Sequence, residues 1–381
     1  MNLPPRQRRR FVDEALAELQ ASGHLRDVRA VKPDGPVAFV VDGRRVLSFA
    51  SNDYLGLSSH AAIREAAAAA VLEHGLGPRA SALICGHTTE HEALEAELAA
   101  FVAQPAAMLT PTGYAANLAV LDAFAGEDLH VFSDALNHAS IVDGCARAKR
   151  RGARVEIYRH ADVEDLERRL LASDRARLLV VTETVFSMDG DVAPLAAIAA
   201  LKARRDFTLV TDEGHASLLY GARGAGIAEA QGVAVDVHVG TASKAFGAVG
   251  GFVAADEATV RLLRNRGRAY VFSTAMPLPI VAAIRAALRI DRSELRARLD
   301  ANVARLAGLL DRELVGPIVP VIIGAPDATI RERERLFEAG VLVAGVRPPT
   351  VPEGTSRLRV TLSAAHSPGE VDRLAVLLGD R

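Results

Sequence analysis

The sequence predicts an α/β fold with two parts: a large domain on a mostly parallel sheet flanked by helices, and a smaller C-terminal α+β domain. From about residue 60 onward, short apolar runs alternate with alanine-rich stretches of helical length, which is the pattern of βαβ units. After Met276-Pro277 a long helical stretch, near residues 278–313, leads to shorter strands with one helix among them. The strands predicted for the large domain are 106–109, 129–132, 154–158, 178–182, 207–211, 235–239 and 251–254, and those for the smaller domain lie near 317–323, 341–346 and 357–362.

An N-terminal arm is predicted ahead of the large domain. Apolar residues recur at helical spacing over residues 8–22 and predict an amphipathic helix. Apolar runs at 37–41 and 46–49, separated by Asp42-Gly43, predict a hairpin. The predicted division of the chain is therefore residues 1–50 for the arm, 51–276 for the large domain and 277–381 for the C-terminal domain.

The composition is that of a large folded chain with little net charge. The 381 residues are 50% hydrophobic and carry a formal net charge of −2, so there is no basic excess for nucleic acid and no acidic excess typical of disorder. The basic run at residues 6–10 lacks interleaved aromatic residues, and we expect no nucleic-acid partner. The two cysteines, Cys85 and Cys145, lie in dissimilar contexts, which argues against a disulfide framework.

Membrane insertion is not expected from the sequence. No apolar run approaches the roughly 20 residues that cross a bilayer. The charged start of the chain leads into an amphipathic helix and lacks the apolar core of a signal peptide. We therefore expect a cytoplasmic protein.

Polar residues follow the predicted strands, at the edge where open parallel sheets bind ligands. A pyridoxal phosphate site needs a lysine for the imine, an acid that keeps the pyridine nitrogen protonated, a flat group on the ring face and a phosphate cradle. Lys244, Asp212, His138 and the turn at Gly113 supply one of each. Each residue alone is a common feature of a strand end, and the complete set makes the prediction specific.

Lys244 is the best candidate among four lysines. Arginine supplies the other basic residues and does not readily lose its proton, so it cannot replace a nucleophilic amine. Lys32 lies in a turn, Lys149 in a basic run and Lys202 near a predicted helix end. Only Lys244 is flanked by small residues, a glycine and Phe246, as expected beside a tight pocket.

Several blocks of the sequence match one enzyme family. They are Ser51-Asn52-Asp53-Tyr54-Leu55-Gly56-Leu57, Val185-Phe186-Ser187-Met188-Asp189-Gly190-Asp191, residues 241–247, Val346-Arg347-Pro348-Pro349-Thr350-Val351-Pro352 and Arg357-Leu358-Arg359-Val360-Thr361-Leu362. From residue 51 almost to its end, the chain resembles the α-oxoamine synthases, which are pyridoxal-phosphate-dependent transferases of fold type I. The resemblance implies that fold, with pyridoxal 5'-phosphate as cofactor.

The resemblance also implies cofactor roles for individual positions. Lys244 would form the Schiff base, Asp212 would pair with the pyridine nitrogen and His138 would stack on the ring. The remaining implied contacts are Ser187 and His215 at the ring hydroxyl, and Gly113, Tyr114 and Thr241 at the phosphate, with Thr274 reaching the phosphate from a second subunit.

Substrate contacts and a homodimer follow from the same resemblance. Thr274 would act across a subunit interface, which implies a dimer. Arg347 would bind the amino-acid carboxylate in forked geometry, with Thr350 nearby. Arg26 and Asn52 match positions near the substrate, and Arg26 would contact the carboxylate of the acyl chain.

The block around Arg347 resembles the oxononanoate synthases more than the aminoketobutyrate ligases, aminolevulinate synthases or serine palmitoyltransferases. The implied reaction is the decarboxylative condensation of L-alanine with pimeloyl-CoA, or with a pimeloyl carrier protein. Its products are 8-amino-7-oxononanoate, CoA and CO2, in biotin biosynthesis. The Lys244 amine would take the α-proton, and His138 would assist the protonation steps around decarboxylation.

Two other functions stay open at this point. One is a sister synthase, such as 2-amino-3-ketobutyrate CoA ligase, which joins glycine and acetyl-CoA. The other is a non-catalytic module of the same fold, and the intact Lys244, Asp212, His138 and Arg347 argue against it.

A zinc site is a further alternative, because His87-Thr88-Thr89-Glu90-His91 matches the H-x-x-E-H pattern of some peptidases. The same residues also suit a helix start, with Thr88 or Thr89 as the N-cap and glutamates near the positive end of the helix dipole. We expect the helix start and no metal.

Two departures from the family pattern affect the prediction. Gly77-Pro78-Arg79 replaces a glycine- and serine-rich run, which puts substrate contacts there in doubt. Gly214 stands where the family usually has alanine, between the two functional positions Asp212 and His215, and we expect it to loosen the backbone there.

Overall fold

A computed structural model describes residues 5–379, with side chains from residue 9 onward. The first four residues of the predicted arm, the last two of the chain, and the Arg6 and Arg8 side chains of the basic run lie outside this description. The chain divides into a central unit, Asn52–Leu299, and a terminal unit that combines residues up to Ser51 with those from Asp300 onward. The three-part division made from the sequence stays a prediction, and the structure adds that the arm shares a unit with the C-terminal segment.

Strands and helices alternate along the chain as an α/β fold requires. The described strands are β1 (Lys32–Pro33), β2 (Ala38–Val41), β3 (Arg44–Ser48), β4 (Ala106–Thr110), β5 (Leu129–Asp134), β6 (Arg154–Tyr158), β7 (Arg177–Glu183), β8 (Thr208–Asp212), β9 (Val237–Thr241), β10 (Gly251–Ala255), β11 (Ile318–Gly324), β12 (Val341–Leu342), β13 (Ala344–Val346) and β14 (Ser356–Thr361). The described helices are α1 (Pro5–Ala21), α2 (Ala61–His74), α3 (Thr89–Phe101), α4 (Gly113–Phe124), α5 (Ala139–Arg150), α6 (Val163–Leu171), α7 (Leu195–Ala200), α8 (Ile227–Ala230), α9 (Glu257–Arg266), α10 (Arg268–Val271), α11 (Leu278–Arg289), α12 (Ser293–Leu310), α13 (Pro326–Glu338) and α14 (Pro368–Gly379).

The central unit contains the predicted mostly parallel sheet. Its seven strands follow the order β4-β10-β9-β8-β7-β5-β6. Every pair is parallel except those of β10, which runs antiparallel to both β4 and β9. The carboxyl ends of the other six strands therefore share one edge of the sheet, and ligands bind at that edge in open α/β sheets.

Helices pack against the central sheet, and its strands are largely buried except for the edge strand β6. Leu121 of α4 packs in one core cluster with Val131 of β5, Leu179 of β7, Val210 of β8 and Val253 of β10. Strands buried on both faces have near-continuous apolar sequences. This is why the sequence located them, with β8 and β9 shifted by one and two residues from the prediction.

The helical stretch predicted over about 278–313 is broken into α11 and α12. Ile290, between them, has an extended backbone, with φ −66° and ψ 132°. The Arg292 guanidinium donates to the carbonyls of Ala287, Leu288 and Ile290 at 3.0, 3.0 and 2.8 Å. These bonds satisfy carbonyl groups at the end of α11 that have no partner within the helix, so the break is stabilised by a side chain of the following segment.

The terminal unit holds two small sheets. The first has the order β1-β2-β3-β12 and pairs the predicted hairpin with β12, which runs parallel to β3. The second is antiparallel, in the order β11-β14-β13. Among the helices described in the two units, none has the length and apolar character needed to span a membrane.

Truncation of a core side chain tests the role of the central sheet. Leu179 is fully buried in β7, whereas Leu171 at the end of α6 is 47% exposed. We expect Leu179→Ala to lower the free energy of unfolding by about 2–5 kcal/mol, because a cavity remains in the sheet core. Leu171→Ala is the matched control and should change it by about 0.5 kcal/mol or less. Urea unfolding followed by circular dichroism measures both, and equal losses would contradict the packing described.

Candidate active site

Residues at the carboxyl ends of the central strands line a cavity of about 210 Å³. Six of the predicted site residues lie there together: Gly113, Tyr114, His138, Asp212, Thr241 and Lys244. The cavity is also lined by Thr112, Asn117, Ser140, Glu183 and Ser243, which had no predicted role. The sheet order thus brings together residues that are up to 132 positions apart in the chain.

Lys244 and Asp212 both border the position of Gly214. A Cβ atom on Gly214 would lie 2.7 Å from Lys244 Nζ and 2.9 Å from Asp212 Oδ1. The Gly214 amide donates to Asp212 Oδ1 at 2.8 Å. The expectation that Gly214 loosens the backbone stays a prediction, and the structure adds that its φ lies outside the left-handed region, so the backbone conformation itself does not require glycine. What glycine provides at this position is space beside the amine and the carboxylate.

Asp212 is oriented by a side chain from α4. Asn117 Nδ2 donates to Asp212 Oδ2 at 2.6 Å and to Ser140 Oγ at 2.9 Å, and Asn117 is buried. The Gly214 amide therefore binds one oxygen of the Asp212 carboxylate, and Asn117 binds the other. Sequence reasoning missed Asn117, although its position one helical turn after Gly113 was a usable signal.

His138 presents a neutral imidazole to the cavity. It is the N-cap of α5, and its Nδ1 accepts from the Ser140 amide at 3.2 Å and lies 2.7 Å from Ser140 Oγ. Burial lowers the pKa of His138, with the Asp212 charge acting in the opposite direction. Since Nδ1 is an acceptor, the proton of the neutral ring is on Nε2. A flat, uncharged ring with one free donor fits the predicted stacking role.

The turn at Gly113 forms a tight helix start against β9. A Cβ atom on Gly113 would lie 2.9 Å from Thr241 Cβ, so only glycine permits this approach. The Thr112 hydroxyl caps α4 by accepting from the Ala115 amide at 3.0 Å. The first amides of a helix carry partial positive charge and lack partners within the helix. This arrangement fits the predicted phosphate cradle.

Glu183 is a cavity residue that the sequence reasoning did not assign. It is buried at the end of β7, beside Asp212 in the sheet register. Its Oε1 atom is buried and has no hydrogen-bond partner among the residues that the structure describes. Burial, and then the Asp212 charge, raise the pKa of Glu183 to about 8, so this carboxyl group is mostly neutral at pH 7. An orphaned buried oxygen next to Asp212 and Lys244 is consistent with a polar ligand in the cavity.

His215, Ser187 and Asn52 lie in the central unit but do not line this cavity. His215 is buried, and its Nδ1 is 2.6 Å from the hydroxyl of Tyr54, itself fully buried. The Tyr54 hydroxyl also lies 3.3 Å from Asn52 Oδ1. Ser187 is buried in the loop after β7. The structure thus connects His215 and Asn52 through Tyr54, a residue of the first family block.

Thr274 lines a separate, much smaller cavity of about 10 Å³, together with His87, His91 and Glu95. It forms an isolated antiparallel bridge with Ser81. Its predicted action on the phosphate of a second subunit stays a prediction.

The predicted substrate residues Arg26, Arg347 and Thr350 belong to the terminal unit. The Arg347 guanidinium donates to the Gly23 carbonyl and, at 3.2 Å, to the Leu25 carbonyl. Arg26 Nη2 is 3.5 Å from Thr350 Oγ1. Burial lowers the pKa of Arg347, and the Arg333 and Arg26 charges lower it further. The three residues therefore form one positively charged group.

The H-x-x-E-H segment forms a helix start. Thr88 is the N-cap of α3 and exchanges capping bonds with His91. His87 Nε2 lies 3.0 Å from Glu95 Oε2, and His91 Nε2 lies 2.8 Å from the Met276 carbonyl oxygen. Within residues 5–379, no group of three or more metal-ligating side chains is arranged to hold an ion.

Comparison with known proteins shows which family the chain matches. The family model described as aminotransferase class I and II matches residues 44–378. The chain belongs to the class I and II aminotransferase family. Among curated relatives, the 8-amino-7-oxononanoate synthase of Anaeromyxobacter dehalogenans (strain 2CP-1 / ATCC BAA-258) is 45% identical over 386 aligned residues, which cover 97% of this chain and 96% of the relative.

Two solved structures resemble this aminotransferase-family chain in their fold. The serine palmitoyltransferase of S. paucimobilis, solved with PLP and myriocin bound, has a TM-score of 0.91 at 29% identity and covers 99% of this chain and 98% of its own. An 8-amino-7-oxononanoate synthase from Francisella tularensis has a TM-score of 0.74 at 27% identity, covering 88% and 97%. The predicted fold type and the family resemblance are confirmed.

Asn117 provides a test of the site in this aminotransferase-family chain. Asn117→Ala removes a donor to a charged oxygen, a bond worth about 1.5–3 kcal/mol, and leaves Asp212 less well oriented. We expect pyridoxal phosphate to bind about tenfold more weakly or worse. Asn265→Ala is the control, because Asn265 is exposed on α9 and its amide donates to the Arg261 carbonyl of the same helix. Fluorescence titration of the apoprotein measures both affinities, and equal affinities would contradict the role of Asn117.

Glu183 predicts a pH dependence. A carboxyl group whose pKa is higher in the folded than in the unfolded state adds to the free energy of unfolding at low pH. This contribution is complete below the unfolded-state pKa and is lost as pH rises through the folded-state pKa. For Glu183 the folded-state pKa is about 8. The unaltered apoprotein should therefore lose stability between about pH 5 and pH 9, whereas Glu183→Gln lacks this titration. We expect the difference in free energy of unfolding, Glu183→Gln minus unaltered apoprotein, to rise over that range.

Glu97→Gln is the matched control for this measurement. Burial alone would raise the pKa of Glu97, but hydrogen bonds from Arg285 and Arg289 lower it. Its contribution is therefore constant above about pH 5. Urea unfolding at several pH values compares the two variants, and a flat difference for Glu183→Gln would contradict a neutral Glu183.

Proposed function

We propose that this chain is an 8-amino-7-oxononanoate synthase: a pyridoxal-phosphate-dependent acyltransferase that condenses L-alanine with a pimeloyl thioester and releases CO2. The observation that carries the proposal is the cavity in which Lys244, Asp212 and His138 meet a tight helix start. Near-full-length identity of 45% to a relative of that name supports the choice of reaction.

The residues of the cavity fit pyridoxal 5'-phosphate. When bound, this cofactor supplies an electron sink that stabilises negative charge at the α carbon of an amino acid. The Lys244 amine would attach it. The Asp212 carboxylate, oriented by Asn117, offers an acceptor to a protonated ring nitrogen. The amides of Gly113 and Tyr114, with the Thr241 hydroxyl, would hold the phosphate at the start of α4.

Proton handling falls to side chains of the same cavity. Lys244 Nζ would take the proton from the substrate α carbon and return it. Gly214 leaves space beside this atom, where a Cβ would lie at only 2.7 Å. Neutral His138 offers its ring face and the Nε2 proton, and its lowered pKa keeps it uncharged next to the amine. Ser187 and His215 would act at the ring hydroxyl.

Substrate binding is assigned to the remaining predicted residues. Arg347 and Thr350 would receive the alanine carboxylate, and Arg26 and Asn52 would contact the acyl chain. Among the residues that the structure describes, the hydrogen bonds of Arg347 go to neutral carbonyl groups, which supports a positive charge available to an anion. A homodimer, with Thr274 completing the phosphate site of the second subunit, belongs to the same proposal.

Thiol release from acyl-CoAs tests the proposed reaction. The enzyme is incubated with pimeloyl-, acetyl-, succinyl- or palmitoyl-CoA and with L-alanine, glycine or L-serine. We expect release with pimeloyl-CoA and L-alanine. Release with another pair instead would assign a sister synthase, and a positive result only with pimeloyl carrier protein would identify the donor.

Lys244→Ala is the decisive variant in this assay. It should lose both thiol release and the visible absorbance of bound cofactor while remaining folded, because the attaching amine is gone. Lys149→Ala removes an exposed lysine of α5 and should keep both. Retention of colour and turnover by Lys244→Ala would refute the assignment of the site.

A further inference from the structure

His160 lies between two acidic side chains of the central unit, Asp134 at the end of β5 and Asp191 in the loop after β7. His160 Nδ1 is 2.9 Å from Asp134 Oδ1, and His160 Nε2 is 2.8 Å from Asp191 Oδ2. Ionised carboxylate oxygens only accept hydrogen bonds, so each ring nitrogen must carry a proton to donate. With both carboxylates ionised, this geometry therefore requires a positively charged imidazolium.

The surroundings stabilise that charge. Burial by itself lowers the pKa of His160, but the hydrogen bonds that its ring donates to Asp134 and Asp191 raise it to about 10. The Asp134 side chain is almost fully buried, at 2% exposure, whereas Asp191 is 39% exposed. Asp134 would be a buried, unpaired charge without His160, and such charges are costly.

Each carboxylate belongs to a loop that carries a predicted cofactor residue. Asp134 ends β5 and starts the turn that leads to His138, and its carboxylate also accepts from the amides of Leu136 and Ala161 at 2.8 Å. His160 and Ala161 thus connect the segment after β6 to the loop that carries His138.

The second loop carries Ser187 and is closed on itself. The Phe186 amide donates to the Asp191 carbonyl at 3.0 Å, and the Gly190 amide donates to the Phe186 carbonyl at 2.8 Å. The Phe186 ring meets the His160 ring edge-on, with centroids 4.4 Å apart and an interplanar angle of 89°. His160 therefore contacts this loop through both Asp191 and Phe186, on either side of Ser187.

We propose that His160 is a positioning residue for the cofactor site: its imidazolium ties the His138 loop to the Ser187 loop and so sets the distance between the ring-stacking and ring-hydroxyl contacts. The inference rests on the proposed function, because it takes His138 and Ser187 as cofactor contacts. His160 itself acts only through these two loops.

A second histidine provides a matched control. His130 lies in β5, the strand that leads into the His138 loop, and is buried. Its Nδ1 is 2.8 Å from Ser173 Oγ, and burial lowers its pKa. His130→Gln therefore perturbs the same strand without removing a charge that joins the two loops.

The test compares His160→Gln, His160→Lys and His130→Gln in the full-length protein. His160→Gln keeps a polar side chain but loses the charge, whereas His160→Lys keeps a cation for both carboxylates. Pyridoxal phosphate affinity of the apoprotein, visible circular dichroism of the bound cofactor and thermal unfolding are measured for each. Visible circular dichroism reports how the protein orients the cofactor, which a general loss of stability does not change.

We expect His160→Gln to bind pyridoxal phosphate about tenfold more weakly, by analogy with the loss of an orienting residue behind a ligand contact, and to show a reduced dichroic band. His160→Lys should recover most of both signals. His130→Gln should lower thermal stability and leave both signals unchanged. Similar thermal losses for the two glutamine variants, with no change in affinity or dichroism, would show that His160 is only structural and would overturn the proposal.

Two further measurements keep the proposal testable if His160→Gln folds poorly. Asp191→Asn removes the exposed side of the pair and should reproduce the loss of affinity and dichroism, and an unchanged Asp191→Asn would count against the proposal. Nitrogen-15 NMR of the His160 ring should show both nitrogens protonated up to at least pH 8, and titration near pH 6 would overturn it. None of these assays needs an acyl donor or an amino acid, so their result is separate from that of the thiol-release assay.

Discussion

A carboxylate at the end of a buried strand needs hydrogen-bond donors, because burial of an unpaired charge is costly. The rest of the site depends on the donors that Asp212 receives. The Gly214 amide and the Asn117 side chain donate to its two oxygens. Asn117 also bonds Ser140, whose hydroxyl lies beside His138. The acid that faces the predicted ring nitrogen and the imidazole that faces the ring are thereby connected through one network.

The same edge of the sheet carries two further buried carboxyl groups. Burial raises the pKa of Glu183 to about 8 and that of Glu213 to about 7. Glu213 accepts hydrogen bonds from the Thr184 hydroxyl and the amides of Ile227 and Ala228. Raised pKa values limit the negative charge that accumulates around Asp212 near pH 7, which helps one carboxylate and one amine to share a small cavity.

The structure shows what the two departures from the family pattern, at Gly214 and Arg79, change physically. Gly214 has an ordinary φ and gives space next to Lys244 Nζ and Asp212 Oδ1, so its effect is on the volume available near the reacting amine. Arg79, in the other departure, has a φ of 68°, a conformation that favours glycine. The first change alters the cofactor cavity, and the second requires a non-glycine residue to hold a turn conformation.

The α/β class, the central strands to within one or two residues and six residues of the cavity could all be predicted from the sequence, because apolar periodicity and strand-end chemistry are local properties of the chain. The sequence did not reveal Asn117, Glu183 or His160, nor the break between α11 and α12. Asn117 meets Asp212 across 95 positions, and His160 meets Asp191 across 31. Such contacts depend on the order of the strands in the sheet, and no local sequence pattern specifies that order. The side chains that orient the predicted site residues are therefore seen only in the folded structure.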